Sequence, residues 1–496
     1  MSDEALPGVP VDVGWHYRPE AGLFGDPKPI QWRGVTHVFF QNSPGDGAFE
    51  AMRWAHVASR DLLHWERLPD ALVPEPGGPD AFGCWTGSVI RVGDGFQIFY
   101  TGVGEAGGRQ QSVCRAFSDD LVHWRRDPRN PLVLPSSPFA TGPDAAWRDP
   151  QVVVGDTGYH LLLTADLAGA PAALRGAIAH FRSTDLASWE PQGVLYYPGD
   201  VHRCECPDLI WQGDEELLLY SDFGVQLRRR GKDGRFRPAD PPQLDDFRFY
   251  AAKTVLAARE RRLLFAFLFG RRAPAGPPSD SSPWEWGGVM ALPREVALDR
   301  EGALRVWPVP ELERLRRQPL TIEPHAGAGN GRWEREPDGG ATLRVDGNGP
   351  DAGDVGFRLL GRLPLQAELD LEVAIDVGAA RHFGLLLGCD RALTRGYALE
   401  LDLDRGWLTL RRLMPETNPA ELGLQRVALP TRTGDRIRLR AFLDHTVLEA
   451  FVDDRVSLSG RLYDIEASPD RWWGVLSRNG PLRLARFQGW RLSLSG

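Results

Sequence analysis

Short apolar runs recur along the first half of this chain at a nearly constant interval. His37-Val38-Phe39-Phe40-Gln41, Gln97-Ile98-Phe99-Tyr100-Thr101, His160-Leu161-Leu162-Leu163-Thr164, Leu217-Leu218-Leu219-Tyr220-Ser221 and Leu263-Leu264-Phe265-Ala266-Phe267 begin 60, 63, 57 and 46 residues apart. Each run has the length and the aliphatic or aromatic content of a buried strand. Strand-rich sequence with such a period marks a repeat architecture such as a propeller, and five runs predict five blades. The first strand of every propeller blade lines the central channel, so equivalent points on those strands converge. Counting back eleven or twelve residues from the first four runs reaches Asp26, Trp85 or Thr86, Asp149 and Glu205, and thirteen from the fifth reaches Tyr250. The repeat thereby directs three carboxyl groups into one pocket.

A second repeat accompanies the first. Ser59-Arg60-Asp61-Leu62-Leu63-His64-Trp65, Ser118-Asp119-Asp120-Leu121-Val122-His123-Trp124 and Ser183-Thr184-Asp185-Leu186-Ala187-Ser188-Trp189 share the pattern Ser-x-Asp-Leu-x-x-Trp. A turn capped by Asp with Trp packed between blades explains it, so these aspartates are not catalytic candidates. The pattern continues through Trp286-Gly287-Gly288-Val289-Met290-Ala291-Leu292-Pro293-Arg294-Glu295, then changes at Pro310-Glu311-Leu312-Glu313-Arg314-Leu315-Arg316-Arg317, which reads as a short linker helix. Beyond it, Ala367-Glu368-Leu369-Asp370-Leu371-Glu372-Val373 and Arg436-Ile437-Arg438-Leu439-Arg440-Ala441-Phe442 alternate with the period of two of half-buried antiparallel strands. The expected fold is all-β: a five-bladed β-propeller over residues 1–318 followed by a β-sandwich over 319–496.

Composition agrees and narrows the partners. The chain has 496 residues, 42% hydrophobic and 25% charged, enough for two cores, and its 55 Gly, 40 Pro, 17 Trp and 22 Phe suit short strands and tight turns. A formal charge of -9 with both signs interspersed argues against a nucleic-acid footprint and favours a neutral or small-molecule partner. No run approaches the ~18 apolar residues of a spanning helix, and the acidic start Met1-Ser2-Asp3-Glu4-Ala5 lacks a secretory pattern. The cysteines Cys84, Cys114, Cys204, Cys206 and Cys389 are odd in number and scattered, unlike a disulfide framework. A cytoplasmic location is expected. Cys204 and Cys206 near His202 invite a metal reading, but a closed zinc site needs about four ligands and no second cluster lies nearby, so no metal is expected.

Paired carboxylates are what cleavage of a glycosidic bond requires: one attacks the anomeric carbon, and the other, protonated, donates to the leaving oxygen. Gly25-Asp26-Pro27, Trp147-Arg148-Asp149-Pro150 and Cys204-Glu205-Cys206-Pro207-Asp208 each set an acid within two residues of a proline. Any one alone reads as a turn; three in repeat register read as a site. On these motifs the chain resembles glycoside hydrolase family 32, the retaining β-fructofuranosidases that include invertases, inulinases and levanases. His16-Tyr17-Arg18-Pro19-Glu20-Ala21-Gly22-Leu23-Phe24-Gly25-Asp26-Pro27 is similar to the family's opening motif, which ends in Asn-Asp-Pro-Asn-Gly and implies that Asp26 is the nucleophile. Trp147-Arg148-Asp149-Pro150 resembles the Arg-Asp-Pro motif, whose Asp holds sugar hydroxyls, and Glu205-Cys206-Pro207-Asp208-Leu209 the Glu-Cys motif, which makes Glu205 the acid/base. Trp85-Thr86-Gly87-Ser88, Phe249-Tyr250-Ala251-Ala252-Lys253-Thr254, Ala291-Leu292-Pro293-Arg294-Glu295 and Asp444-His445-Thr446-Val447-Leu448-Glu449-Ala450-Phe451 match less closely. Gln41, Trp85, Thr86, Arg148 and Tyr250 are the expected substrate-binding residues.

The chain departs from the family where the sugar ring would be held: Leu23-Phe24-Gly25 precedes the nucleophile, and Lys28-Pro29 stands where Asn-Gly is usual. Losing an Asn removes hydrogen bonds on which discrimination rests. Lys28 is expected to be a solvated surface lysine, with contact to an anionic or unusual glycoside as the alternative. The function implied is retaining hydrolysis of a β-fructofuranoside or related furanoside without cofactor or metal. The expected partner is a small carbohydrate, with neither nucleic acid nor membrane, and the oligomeric state stays open. The alternatives are a fructosyltransferase or a difructose-anhydride-type enzyme on the same scaffold, or a non-catalytic carbohydrate-binding propeller.

Overall fold

The computed structural model describes residues 13–494 except 44–48, 50, 106–108, 144, 272–283, 326–328, 346–354, 377, 414–424, 431–433, 464 and 467–469, so Met1-Ser2-Asp3-Glu4-Ala5 lies outside the described residues. It is a β-propeller followed by a β-sandwich. Five antiparallel sheets form in chain order. Sheet I holds Gly25–Trp32, Val35–Asn42, Arg53–Ser59 and Glu66–Leu72; sheet II holds Gly83–Val92, Gly95–Val103, Gln111–Ser118 and Arg125–Arg126. Sheet III is Trp147–Gly155, Gly158–Asp166, Gly176–Ser183 and Glu190–Tyr196, and sheet IV is Glu205–Gln212, Glu215–Ser221, Val225–Arg230 and Phe236–Gln243. Sheet V contains Phe249–Leu256, Arg262–Arg271, Arg294–Leu298 and Leu304–Pro308, with Trp284–Met290 pairing its second strand. Each apolar run is the second strand of a sheet, buried from both sides. The first strands touch in the order I, II, III, IV, V and back to I, and Phe24 and Gly288 exchange backbone hydrogen bonds of 3.2 and 2.9 Å that tie sheet I to sheet V.

The Ser-x-Asp-Leu-x-x-Trp repeat proves structural. Ser59 Oγ accepts from the N–H of Leu62 (2.8 Å), and Asp61 Oδ1 accepts from those of Leu63 (3.0 Å) and His64 (2.9 Å). The same bonds recur at Ser118 with Asp120 and at Ser183 with Asp185. They hold Leu62, Leu121 and Leu186 at φ of 63°, 67° and 61°, a conformation that needs such support in a branched residue. Each following Trp packs edge-on against a Phe in the second strand of the preceding sheet: Trp124 on Phe39 at 5.7 Å, Trp189 on Phe99 at 5.8 Å and Trp65 on Phe265 at 6.1 Å. For Trp65 the preceding sheet is the fifth, so this contact closes the ring.

The sandwich packs an eight-stranded sheet on a six-stranded one. Its core of Leu369, Leu371, Leu385, Leu399, Leu439, Val475 and neighbours comes from the inward half of each alternating strand. The expected linker helix is a 3₁₀ helix over Pro310–Leu315; Arg316 and Arg317 instead begin the strand Arg316–Pro319, which pairs with Leu482–Leu492 of the sandwich. The two units share a buried polar cluster. Arg294 Nη1 reaches Asp245 (2.9 Å) and Ser457 (2.6 Å), and its Nη2 reaches Glu449 (2.5 Å) and Ser459 (2.8 Å). His16 bridges Asp444 (2.8 Å) and Glu449 (3.0 Å). His16, Arg294, Asp444 and Glu449 all belong to matched motifs, yet they hold the sandwich to the propeller rather than lining the site.

Candidate active site

Every first strand of the propeller breaks register at the same depth. Counting along the apolar runs, the fifth residue of each, Gln41, Thr101, Thr164, Ser221 or Phe267, pairs with Gly25, Trp85, Arg148, Glu205 or Tyr250. The third residue of each pairs with Lys28, Ser88, Gln151, Asp208 or Lys253. Two residues therefore oppose one between these pairs, which is a β-bulge. The extra residue takes positive φ at Asp26 (31°), Asp149 (59°), Cys206 (51°) and Ala251 (53°). Such conformations cost about 1–3 kcal/mol each and persist where surrounding bonds impose them, typically at functional sites.

This register corrects the equivalence inferred from spacing. Asp26, Thr86 and Asp149 are equivalent to Cys206 and Ala251, whereas Glu205 and Tyr250 lie one layer earlier, beside Gly25, Trp85 and Arg148. The bulge lets both layers reach the channel. Asp26, Gln41, Trp85, Thr86, Arg148, Asp149, Glu205 and Tyr250 line one cavity of about 550 Å³, together with Arg109, Gln111, Arg175, His202, Arg203 and others.

Each acid has its own surroundings. Asp26 Oδ2 accepts from Thr86 Oγ1 at 2.8 Å. It also accepts from the Gln41 amide at 3.0 Å, and the Gln41 carbonyl takes the Thr86 N–H at 2.8 Å. Asp149 Oδ2 accepts from Thr164 Oγ1 (3.0 Å) and the Cys206 N–H (2.9 Å), while its own N–H donates to Thr101 Oγ1 (2.9 Å). Glu205, at 28% the most open side chain of the three, accepts from Tyr250 OH at 2.7 Å and from Arg148 Nη2.

Burial, reinforced by the charges of Asp149 and Glu205, raises Asp26 to about 6 against the opposing charge of Lys28 and the Thr86 hydrogen bond. Burial also pushes Glu205 up, but the Arg148 charge and the Tyr250 and Arg148 hydrogen bonds outweigh it and leave this carboxyl below the usual glutamate range. The carboxyl that the resemblance implies as the nucleophile is thus the one raised, and the implied acid/base the one lowered, because Arg148 reaches across to sheet IV.

Lys28 is a second correction. It is not solvated: the residue is 2% exposed, its Nζ lies 4.4 Å above the Trp54 ring, and that Nζ has no hydrogen-bond partner among the described residues. Two residues after Asp26 on one strand, it belongs to a layer whose direction alternation alone would have flagged. Arg175 and Arg203, 2.9 and 3.1 Å from Asp166, were not singled out from sequence, because nothing local marks which arginines face the cavity. Cys204 and Cys206 are buried free thiols, and no group of three or more His, Cys, Asp or Glu is arranged for a metal among the described residues.

The model for the glycosyl hydrolases family 32 N-terminal domain matches residues 16–308, and that for the family's C-terminal domain matches 347–475. A cell-wall β-fructofuranosidase of Zea mays is 28% identical over 369 residues, 65% of this chain and 60% of that protein. The chain thus spans about 60% of the length of that relative. A sucrose-6-phosphate hydrolase of Escherichia coli is 26% identical over 90% of this chain and 88% of its own. Fructan 1-exohydrolase IIa from Cichorium intybus has the same fold, with a TM-score of 0.76 at 20% identity over 98% of both chains. By the match of both its domain models, this chain belongs to glycoside hydrolase family 32.

Proposed function

We propose that the protein is a retaining glycoside hydrolase of β-fructofuranosides, built on five blades within 1–318 with the sandwich in 319–496. The observation that carries this is the convergence of Asp26, Asp149 and Glu205 on one cavity in three unlike settings. Asp26 is the nucleophile. Thr86 and Gln41 both bind its Oδ2 and leave Oδ1 to attack the anomeric carbon. Glu205 donates its proton to the departing glycosidic oxygen, then takes one from the water that hydrolyses the fructosyl ester on Asp26. Asp149 accepts from ring hydroxyls, and Trp85, Gln41, Arg148 and Tyr250 shape the ring site. The chicory fructan exohydrolase solved with 1-kestose supports a small fructoside as substrate. Five cysteines without a disulfide support a cytoplasmic location.

The Arg148 to Glu205 bond favours a second reading in which the two roles are exchanged, because it favours the ionised form of Glu205. Leaving-group dependence separates them. Glu205→Ala should lose far more activity on sucrose and short fructans than on an activated aryl fructofuranoside, with added azide restoring turnover; Asp26→Ala should lose both without rescue. The opposite pattern assigns the acid to Asp26. No turnover on any fructoside by the unaltered protein would leave carbohydrate binding as its activity, and transfer products at high substrate concentration would make it a fructosyltransferase.

A further inference from the structure

The register layer beneath the acids is Lys28, Ser88, Gln151, Asp208 and Lys253, and its polar groups are matched with one exception. Lys253 Nζ donates to Gln151 Oε1 (2.8 Å) and to the Pro207 carbonyl (2.6 Å). Ser88 Oγ accepts from the Val152 N–H (3.0 Å), and Asp208 Oδ2 accepts from the Thr254 N–H and Oγ1, both at 2.8 Å. Lys28 Nζ, in contrast, has no acceptor among the described residues and rests on the Trp54 ring, whose Nε1 is committed to the Trp85 carbonyl at 2.8 Å. A buried ammonium without an acceptor destabilises a fold, and an apolar chain of similar length would fill this place more cheaply. Its position is explained by what its charge acts upon.

We propose that Lys28 is a positioning residue for the nucleophile, its buried charge biasing the proton shared by Asp26 and Glu205 away from Asp26. The inference rests on the reading of these two residues as the reacting pair. The charged and titratable groups that act on Lys28 are Asp26 on its own strand, Asp149 of sheet III, Cys206 of sheet IV and Lys253 of sheet V. Those acting on Asp26 are Lys28, Asp149 and Glu205, with the Thr86 hydroxyl. Burial lowers Lys28 to about 7 while Asp26, Cys206 and Asp149 raise it against that trend, and the charge of Lys28 in turn acts to lower Asp26. Asp26 must be ionised and Glu205 protonated to react, yet burial raises Asp26 while Arg148 and Tyr250 lower Glu205, which favours the proton on Asp26. Lys28 opposes that tendency from within the floor, without touching the sugar.

The test is Lys28→Met, with Lys28→Arg retaining the charge. The Asp26 carboxyl is followed by NMR of protein carrying ¹³C-labelled aspartate, its signal assigned by difference from Asp26→Asn, and kcat/KM is measured against pH. The expected result for Lys28→Met is an Asp26 pKa about one unit higher, an alkaline limb of kcat/KM shifted up equally and a maximum about tenfold lower, with Tm unchanged or raised. Lys28→Arg should keep the Asp26 pKa close to that of the unaltered protein. A structural lysine would lower Tm on replacement without moving the limb. An unmoved Asp26 signal in a folded Lys28→Met protein overturns the proposal whether or not the protein turns over any fructoside. A shifted signal and limb with an undiminished maximum would sustain the role of Lys28 and instead exchange the assignments of Asp26 and Glu205, because the proton would then already sit on the acid.

Discussion

Arg148 of sheet III donates through Nη2 to Oε1 of Glu205 in sheet IV, and its Nε lies 3.9 Å from Asp149. One guanidinium thus joins two of the three acids and leaves the third, Asp26, to Lys28, Thr86 and Gln41. The arrangement is asymmetric: the cation on the cavity wall favours ionised Glu205, and the cation in the floor favours ionised Asp26. Which acid carries the proton depends on these two positive charges as well as on the burial that raises both carboxyls.

The first prediction follows from that balance. With Glu205 held below its usual range and Asp26 at about 6, the pair carries one proton between those values, so kcat/KM should be bell-shaped with an alkaline limb near 6. Arg148→Met removes the charge that depresses Glu205, so the acid limb should rise by about one pH unit and the bell narrow. Initial rates against pH for both proteins check it; an unmoved acid limb would mean that Arg148 does not set the ionisation of Glu205.

Thr86→Val tests the support of Asp26, the proposed nucleophile, from its other side. The Thr86 hydroxyl lies 2.8 Å from Asp26 Oδ2 and favours the charged form. Its loss should lower kcat/KM by about tenfold and raise the alkaline limb, with KM little changed, since a donor to the carboxylate matters most as the reaction proceeds. A drop confined to KM would place Thr86 on the sugar instead.

The ring should depend on its inter-sheet tryptophans. Trp65→Ala empties the contact with Phe265 that joins sheets I and V and should cost about 2–3 kcal/mol, as should Trp124→Ala against Phe39. His64→Ala in the same turn, where the ring is mostly exposed, should stay within about 1 kcal/mol. Denaturant midpoints compare the three, and equal losses would show that the turn rather than the tryptophan closes the ring.

The last prediction concerns the junction of propeller and sandwich. Arg294→Met strands Glu449 and Asp245 as buried carboxylates and should destabilise the protein by about 3–5 kcal/mol. His16 adds a pH dependence. Burial lowers its pKa, but hydrogen bonds and charges from Asp444 and Glu449 more than reverse this and leave it raised above 6.5. Its contribution is therefore complete below that value and lost as pH rises through the folded pKa. His16→Gln should remove the alkaline part of this decline in Tm; an identical pH profile in the variant would assign the decline to another group.

The strands and their repeat were legible in the sequence because burial on both faces demands unbroken apolar runs, and turns demand Asp, Gly and Pro at fixed offsets. The candidate acids were legible because a cyclic repeat carries equal positions to one axis. Their exact layering was not, since a bulge adds a residue to one strand without changing its composition: Asp26 and Glu205 looked equivalent by spacing and differ by one layer. Lys28 was misread for another reason: alternation marks its direction, but a single charged residue between prolines gives no sign of the Trp54 ring that covers it.

The sequence by itself determined the all-β architecture and the three acids that meet in the channel, because both are written in local periodicity and in a repeat. Only the tertiary structure decided which cation faces which acid. Arg148 is adjacent to Asp149 in the chain but bonds to Glu205, 57 residues on, and electrostatic energies depend on distance and burial across sheets, which the order of residues along the chain does not contain.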